Sequence, residues 1–376
     1  MTKDSIVNVE AIPVNLPFCE QVSDSWGEYR SSNHGIVRVT AQDGTQGIGE
    51  ISLAWFGGAH ALCGEVNRLW APRLEGHDCT QIGEMIAIMD ALCAFSKRHL
   101  LAKAGVEMAL WDLLGKKCDM SVARLMGGRL RERIPLTGGI PMASPDDMAR
   151  IARLRVQQGY RELKLKVGLS EERDIEGARR VREAIPDYVR LRADANMAWT
   201  DRRQALRMMD ALHDLGVHMI EQPMDAQRLE DIAWLRARAR SRILIDEGVW
   251  DVYDAKACLE AGAADLLHVY TCEAGGLAGV RCIAELARLY HVPCTLGSMP
   301  EGCIGAAASA QAAACMDNLA DEPSDIRGFT VYATDVTREG LTIEDGELIV
   351  PDRPGLGVTL DEEKLYRVRV REAVEK

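Results

Sequence analysis

Two lysines stand two residues apart in "RELKLKVG" (161–168): Lys164 and Lys166, alternating with Leu163, Leu165 and Val167. Successive side chains of a strand face opposite ways, so both ammonium groups would share one face. A solvated edge strand explains that octapeptide taken alone. The residues that follow argue otherwise. Asp194 in "DANMAW", Glu221 in "IEQP" and Asp246 in "IDEG" follow Lys166 in successive steps of 28, 27 and 25 residues. Each step has the length of one strand–helix unit, so the four side chains are expected at equivalent heights on consecutive parallel strands. A single such acid reads equally well as a helix N-cap or a loop charge. Three at barrel spacing would repel one another without a cation between them, and oxygen-only ligation favours Mg²⁺ or Mn²⁺ over zinc.

Such a site needs a frame. Strand-like runs recur at 134–140, 161–167, 189–195, 217–223, 242–248, 264–270 and 292–298, with amphipathic helical stretches such as "DRRQALRMMDALHDLG" between them. Seven units of this spacing predict an α/β fold of the (β/α) barrel type, whose chemistry gathers at the C-terminal ends of its strands. Before it, residues 6–14 and 35–51 alternate apolar and polar side chains around the Asp-Gly hairpin signal of "TAQDGTQGIGE", and 59–127 are helical in pattern. The expected organisation is an α+β block over 1–128, a barrel over 129–317 and a tail over 318–376 that finishes the barrel and returns to the N-terminal block.

The chain has 376 residues, 47 % hydrophobic and 27 % charged, an ordinary globular balance. A net charge of −12 argues against nucleic acid and anionic membranes as partners, and no apolar run reaches the length of a membrane span. Eleven cysteines, an odd number with no C-x-x-C pair, fit neither a disulfide framework nor a thiolate zinc site and read as reduced core residues. With no apolar leader at the N-terminus, a cytoplasmic protein is expected, a homo-oligomer working on a small molecule.

The set "KLKVG", "DANMAW", "IEQP", "IDEG", "AGGL" and "PEGCIGAAASA" resembles the enolase superfamily, specifically its muconate lactonizing enzyme subgroup with a K-x-K motif. "AKAGVEMALWDLLGKK" followed by "LMGGR" is similar to the end of that family's capping domain, and "PDRPGLGV" to its C-terminal strand. The resemblance runs over most of the chain. It implies a modified (β/α)₇β TIM-type barrel under an α+β cap, with Mg²⁺ held by Asp194, Glu221 and Asp246. It also implies removal of the proton next to a substrate carboxylate through an enediolate, with Lys166 as base. A divalent ion on that carboxylate would stabilise the developing charge. The cation at Lys164 and the metal would together favour the neutral amine of Lys166. Contact between Lys164 and the substrate carboxylate is a further expectation.

Other positions carry two readings each. Glu247 is a further ligand or, as favoured here, a hydrogen-bonding partner across the site. Asn196 resembles the family's asparagine behind the ligands, though an Asx turn explains it nearly as well. Glu301 matches an acidic position of the family, or is a helix N-terminal charge. His268 reads as a core histidine with its hydrogen bonds met. Trp26, Tyr29, Arg30 and Trp55 fall in segments 19–34 and 53–58, which look like the family's specificity loops; each either meets the distal part of the substrate or packs locally. Tyr270 is the departure. In "DLLHVYTCEAGG" it stands where the subgroup's D-x-x-x-x-K-x-x-x-x-G-G pattern carries lysine. A tyrosine of ordinary pKa, about 10, is a poorer base than a tuned lysine. One-base chemistry is therefore expected, by elimination (dehydration) or ring closure (cycloisomerisation), with Tyr270 as acid or binding group. The alternatives are a racemase or epimerase using Tyr270 as second acid–base, a Schiff-base aldolase on Lys166, and a non-catalytic Mg²⁺-binding barrel.

Overall fold

The computed structural model describes residues 2–23, 28–53, 58–93 and 99–370. Strands β1 (Ile6–Ser23), β2 (Glu28–Ala41) and β3 (Gln46–Ser52) form an antiparallel sheet in that order. Helices α1 (Gly58–Glu65), α2 (Ala71–Leu74), α3 (Ile82–Leu92) and α4 (Leu100–Cys118) follow. Strand alternation divides the sheet between two cores. Val9, Ala11, Val37, Val39 and Ile51 pack with the helices, whereas Ile12, Val14, Leu16, Ile36 and Ile48 join the larger core of the barrel. Glycines let α4 lie directly on β3: a Cβ on Gly49 would sit 1.9 Å from the Gly105 carbonyl oxygen, and one on Gly47 2.0 Å from that of Ala109.

After α5 (Val122–Leu125) and β4 (Arg133–Pro135), seven parallel strands curl into one sheet. They are β5 (Gly138–Ile140), β6 (Glu162–Lys166), β7 (Arg190–Asp194), β8 (Val217–Glu221), β9 (Arg242–Ile245), β10 (Leu266–Val269) and β11 (Cys294–Leu296), each beside its neighbour in sequence. Helices α6 (Pro145–Gln157), α7 (Glu171–Ala184), α8 (Arg202–Asp214), α9 (Leu229–Arg236), α10 (Val252–Glu260) and α11 (Leu277–Leu289) connect them, and α12 (Cys303–Cys315) follows β11. Local capping starts several of these helices: Ser144, Ser170, Asp201 and Asp251 accept from first-turn N–H groups.

The two edge strands meet through residues 318–325. Asn318 and Leu296 carbonyls accept from Cys294 and Asp325 N–H on the β11 side, and Ser324 exchanges hydrogen bonds with Pro135 and Thr137 on the β5 side. The run 134–140, which reads as one strand in sequence, is split. Arg133–Pro135 pairs with β13 (Glu347–Ile349) in a small sheet with β12 (Ile343–Glu344), while Gly138–Ile140 enters the barrel. "PDRPGLGV" forms no strand: Pro351 and Pro354 lack N–H groups, and Gly355 and Gly357 stand at φ +73 and +86. Two isolated bridges join later residues to β1: Tyr332 with Phe18, and Arg369, just after α13 (Glu362–Val368), with Val14. All eleven cysteines are free and seven are buried, but Cys19, Cys118 and Cys282 are exposed, contrary to the expectation of core cysteines throughout. Among the described residues no helix is long and apolar enough to cross a membrane.

Candidate active site

Parallel pairing sets Lys166 beside Asp194 and Asp194 beside Glu221, so β6, β7 and β8 end at one height. Asp246 directly follows β9. Carboxylate oxygens of Asp194, Glu221 and Asp246 lie within 4.8 Å of one another, and all three residues are buried. Lys166 Nζ donates to Asp194 Oδ2 (2.5 Å) and Asn196 Oδ1 (2.7 Å). Lys164 Nζ meets Glu221 Oε1 at 2.8 Å, Asp325 Oδ2 at 2.7 Å and Asp194 Oδ2 at 3.4 Å. The two lysines differ in access: the Lys166 side chain is 36 % exposed and that of Lys164 6 %. Burial works against the Lys164 charge, but Asp325, Glu221 and Asp194 outweigh it and hold its pKa well above the ordinary lysine value. Lys164 is held as an ammonium among these three carboxylates, 2.7–3.4 Å from each.

The acids respond oppositely to this arrangement. Burial would raise Glu221, yet Lys164, Arg192 and Lys166 hold it at about 2. Asp246 is pushed well above the ordinary carboxyl value by burial and then by Glu247, Glu221 and Asp194. Glu247 is raised by burial and by Asp194, while Asn196 Nδ2 donates to its Oε1 at 2.9 Å. Two buried oxygens, Glu221 Oε2 and Glu247 Oε2, have no hydrogen-bond donor among the described residues. Crowded carboxylates with orphaned oxygens and no sulfur or nitrogen ligand suit a hard divalent cation. The residues fit the ion that the sequence calls for.

Tyr270 directly follows β10, and its hydroxyl donates to Asp246 Oδ2 at 3.0 Å. Its ring lies against Gly297, where a Cβ would come within 1.8 Å of the ring. Burial, then Asp246 and Glu221, push the phenol well above its ordinary pKa. His268 is fully buried with Nδ1 2.6 Å from Thr295 Oγ1, while its Nε2 has no hydrogen-bond partner among the described residues. Glu301 is buried and accepts from Ser298 Oγ, Met299 N and Cys272 Sγ. Tyr29 packs against the main core and Arg30 is exposed; Trp26 and Trp55 lie outside the described residues.

Several residues at the site escape sequence reading. Asp325 closes the charge set around Lys164 and also meets Arg327 at 2.8 Å. Gln222, at φ +36, accepts from Asp246 N at 2.9 Å and so fixes the backbone just after β9. Glu273 is buried with Oε2 unpartnered, and burial, Glu247 and Glu301 push it well above the ordinary value. The N-terminal block also reaches the rim. Helices α11 and α12 begin at Gly276 and Gly302, which have no capping side chain. Glu107 of α4 supplies the first cap, accepting from Leu277 N and Ala278 N at 2.8 and 2.9 Å. Glu50 of β3 supplies the second, accepting from Gly302 N and Gly305 N at 2.8 Å each. Glu50 also lies 2.8 Å from His34 Nδ1; His34 Nε2 lies 3.0 Å from the Tyr332 hydroxyl, which donates to the Pro300 carbonyl at 2.7 Å. This network holds the loop that carries Ser298 and Glu301.

Two family models match the chain: the mandelate racemase / muconate lactonizing enzyme N-terminal domain over residues 8–127, and the enolase C-terminal domain-like model over 147–364. A chloromuconate cycloisomerase from Cupriavidus pinatubonensis is 30 % identical over 88 % of this chain and 90 % of its own. An L-Ala-D/L-Glu epimerase from Clostridium acetobutylicum is 28 % identical over 95 % of this chain and 98 % of its own. Among solved structures, a muconate lactonizing enzyme from Pseudomonas fluorescens complexed with muconolactone superposes with a TM-score of 0.91 at 28 % identity, covering 98 % of this chain and all of that one.

Proposed function

The chain belongs to the mandelate racemase and muconate lactonizing enzyme family of the enolase superfamily, and from that membership and the site geometry we propose that it removes the proton α to the carboxylate of a small substrate. The enediolate then expels a β-leaving group; in the cycloisomerase direction ring closure onto a double bond forms the enediolate instead, and Lys166 gives the proton to its α-carbon. Lys166 is the base. Asp194 and Asn196 hold its amine at the strand ends, where it keeps solvent access. Asp194, Glu221 and Asp246 would hold Mg²⁺, or Mn²⁺, which when bound supplies electrostatic stabilisation of charge developing on the substrate carboxylate. Lys164, kept as an ammonium, offsets part of the charge on Glu221 and Asp194 and fixes their orientation. Asn196 positions Glu247, and Gln222 positions the backbone of Asp246. In this reading residues 1–128 cap a barrel of residues 129–317, with 318–376 completing both. The segment that holds Tyr29 and Arg30 meets the distal part of the substrate.

One observation carries the one-base reading: the Lys166 amine is accessible, whereas the Tyr270 hydroxyl is buried and directs its proton to Asp246. A two-base epimerisation would require Tyr270 to leave that partner. The test is a screen in D₂O with Mg²⁺ over muconates, N-succinyl amino acids and dipeptides, the compound classes named for the relatives. The expected result is Mg²⁺-dependent α-exchange with retained configuration, or elimination or lactone formation. Rapid deuterium entry with inversion would refute one-base chemistry.

A further inference from the structure

A second group of ligating side chains lies in the N-terminal block, apart from the barrel strands. Glu65 ends α1, Cys93 follows α3 and His99 precedes α4. The His99 Nδ1 atom lies 2.5 Å from Glu65 Oε2, Cys93 Sγ donates to Glu65 Oε1 at 3.9 Å, and one ligand atom from each residue lies within 4.8 Å of the other two. Cys93 is buried, and the His99 side chain is 32 % exposed. His99 stands at φ +44, ψ +50, a left-handed conformation that L-residues other than glycine, asparagine and aspartate adopt at some cost. It occupies the N-cap position of α4 without capping it.

A thiolate, an imidazole nitrogen and a carboxylate are the three side-chain types that zinc takes. With bonds of about 2.0–2.3 Å around a tetrahedral ion, ligand atoms stand about 3.3–3.7 Å apart. Glu65 and His99 need to part by about 1 Å, and Cys93 to approach Glu65 by about half an ångström or less, which small side-chain torsions provide. We propose that Glu65, Cys93 and His99 bind one Zn²⁺-class ion, with water in the fourth position on the exposed side of His99. The thiol proton of Cys93 passes to solvent as the ion takes its place. The ion ties the ends of α1 and α3 to the start of α4, the helix whose Glu107 caps α11 in the barrel. Ligand softness separates this site from the oxygen-only set of Asp194, Glu221 and Asp246, which suits a hard cation. Cysteine spacing in the sequence conceals it, because its ligands come from three separate helix ends.

The test uses the full chain, stripped by a chelator, supplied with excess Mg²⁺ and titrated with Co²⁺. A near-ultraviolet thiolate-to-cobalt charge-transfer band and strong visible bands of four-coordinate cobalt are expected, saturating at one equivalent and displaced by Zn²⁺. Cys93→Ser and His99→Ala should each lose the bands; Glu221→Gln should keep them, and circular dichroism checks that each variant is folded. His99→Ala removes only a partly exposed ring, so the test survives if Cys93→Ser fails to fold. No band in the folded wild type at saturating cobalt, bands that persist in His99→Ala, or bands lost in Glu221→Gln would each overturn the proposal.

Discussion

Replacing Tyr270 with phenylalanine separates metal positioning from acid–base chemistry. The change deletes one hydroxyl and leaves the ring packed against Gly297. Lost is a single hydrogen bond of 3.0 Å to Asp246, in a site where both residues are buried. Without a cation, burial and the acids Glu247, Glu221 and Asp194 favour the protonated Asp246. With a cation it is ionised, and a hydrogen bond to a charged group contributes about 1.5–3 kcal/mol against about 1 for a neutral one. The difference, roughly 0.5–2 kcal/mol, corresponds to about a 2- to 30-fold weaker divalent affinity, overlapping the lower part of the loss expected when a partner of a metal ligand is removed. Calorimetric titration of Mg²⁺ into wild type and Tyr270→Phe measures this directly. At saturating Mg²⁺ the variant should exchange the α-proton within about tenfold of wild type, since general acid–base loss would cost about 10²–10⁴. Unchanged affinity together with a thousandfold loss of exchange, or loss of exchange at one face only, would refute the positioning role.

Glu221→Gln should remove measurable Mg²⁺ binding while leaving the far-ultraviolet circular dichroism intact, and tight binding in that variant would move the metal elsewhere. Asp325→Asn leaves the buried Lys164 with two of its three carboxylates; it should cost about 2–4 kcal/mol of stability, read by denaturant titration. An effect under 0.5 kcal/mol would mean the pair is replaced by solvent. Glu107 is pushed up by burial, against its backbone and Trp111 donors, from an ordinary 4.5 to about 7. Such a carboxyl binds its proton more tightly folded than unfolded, so its contribution is complete below about pH 4.5 and declines as pH rises through 7, by ~3 kcal/mol in all. The pH profile of Tm should show that decline in wild type and lose it in Glu107→Gln; identical profiles would contradict the assignment.

The barrel acids were readable because one strand–helix unit has a nearly constant length. Lys166, Asp194 and Glu221 pair across β6, β7 and β8 at the register their spacing predicts. Asp325 was not readable. It lies in "NLADEPSD", a stretch with no alternation and a proline, which joins β11 to β5 through scattered hydrogen bonds rather than a regular ladder. The roles of Glu50 and Glu107 were hidden for a different reason. Each caps a helix more than 160 residues away, and the only local sign is a glycine where α11 and α12 would need a capping side chain. The split of 134–140 between two sheets follows from β13, whose strand of three residues is too short to announce itself by periodicity. The spacing of Lys164 and Lys166 showed two cations on one strand face, but not that Lys164 would be ringed by Glu221, Asp325 and Asp194, because Asp325 comes from the irregular stretch after β11.

The central claim is that Lys166, aided by a divalent ion, is the group that takes the α-proton. The direct measurement is α-deuteration in D₂O by Lys166→Ala at saturating Mg²⁺, beside calorimetric binding of the same compound. Loss of exchange by about 10²–10⁴ with ligand affinity within tenfold of wild type is the predicted result. Exchange by the variant at the wild-type rate would contradict the account.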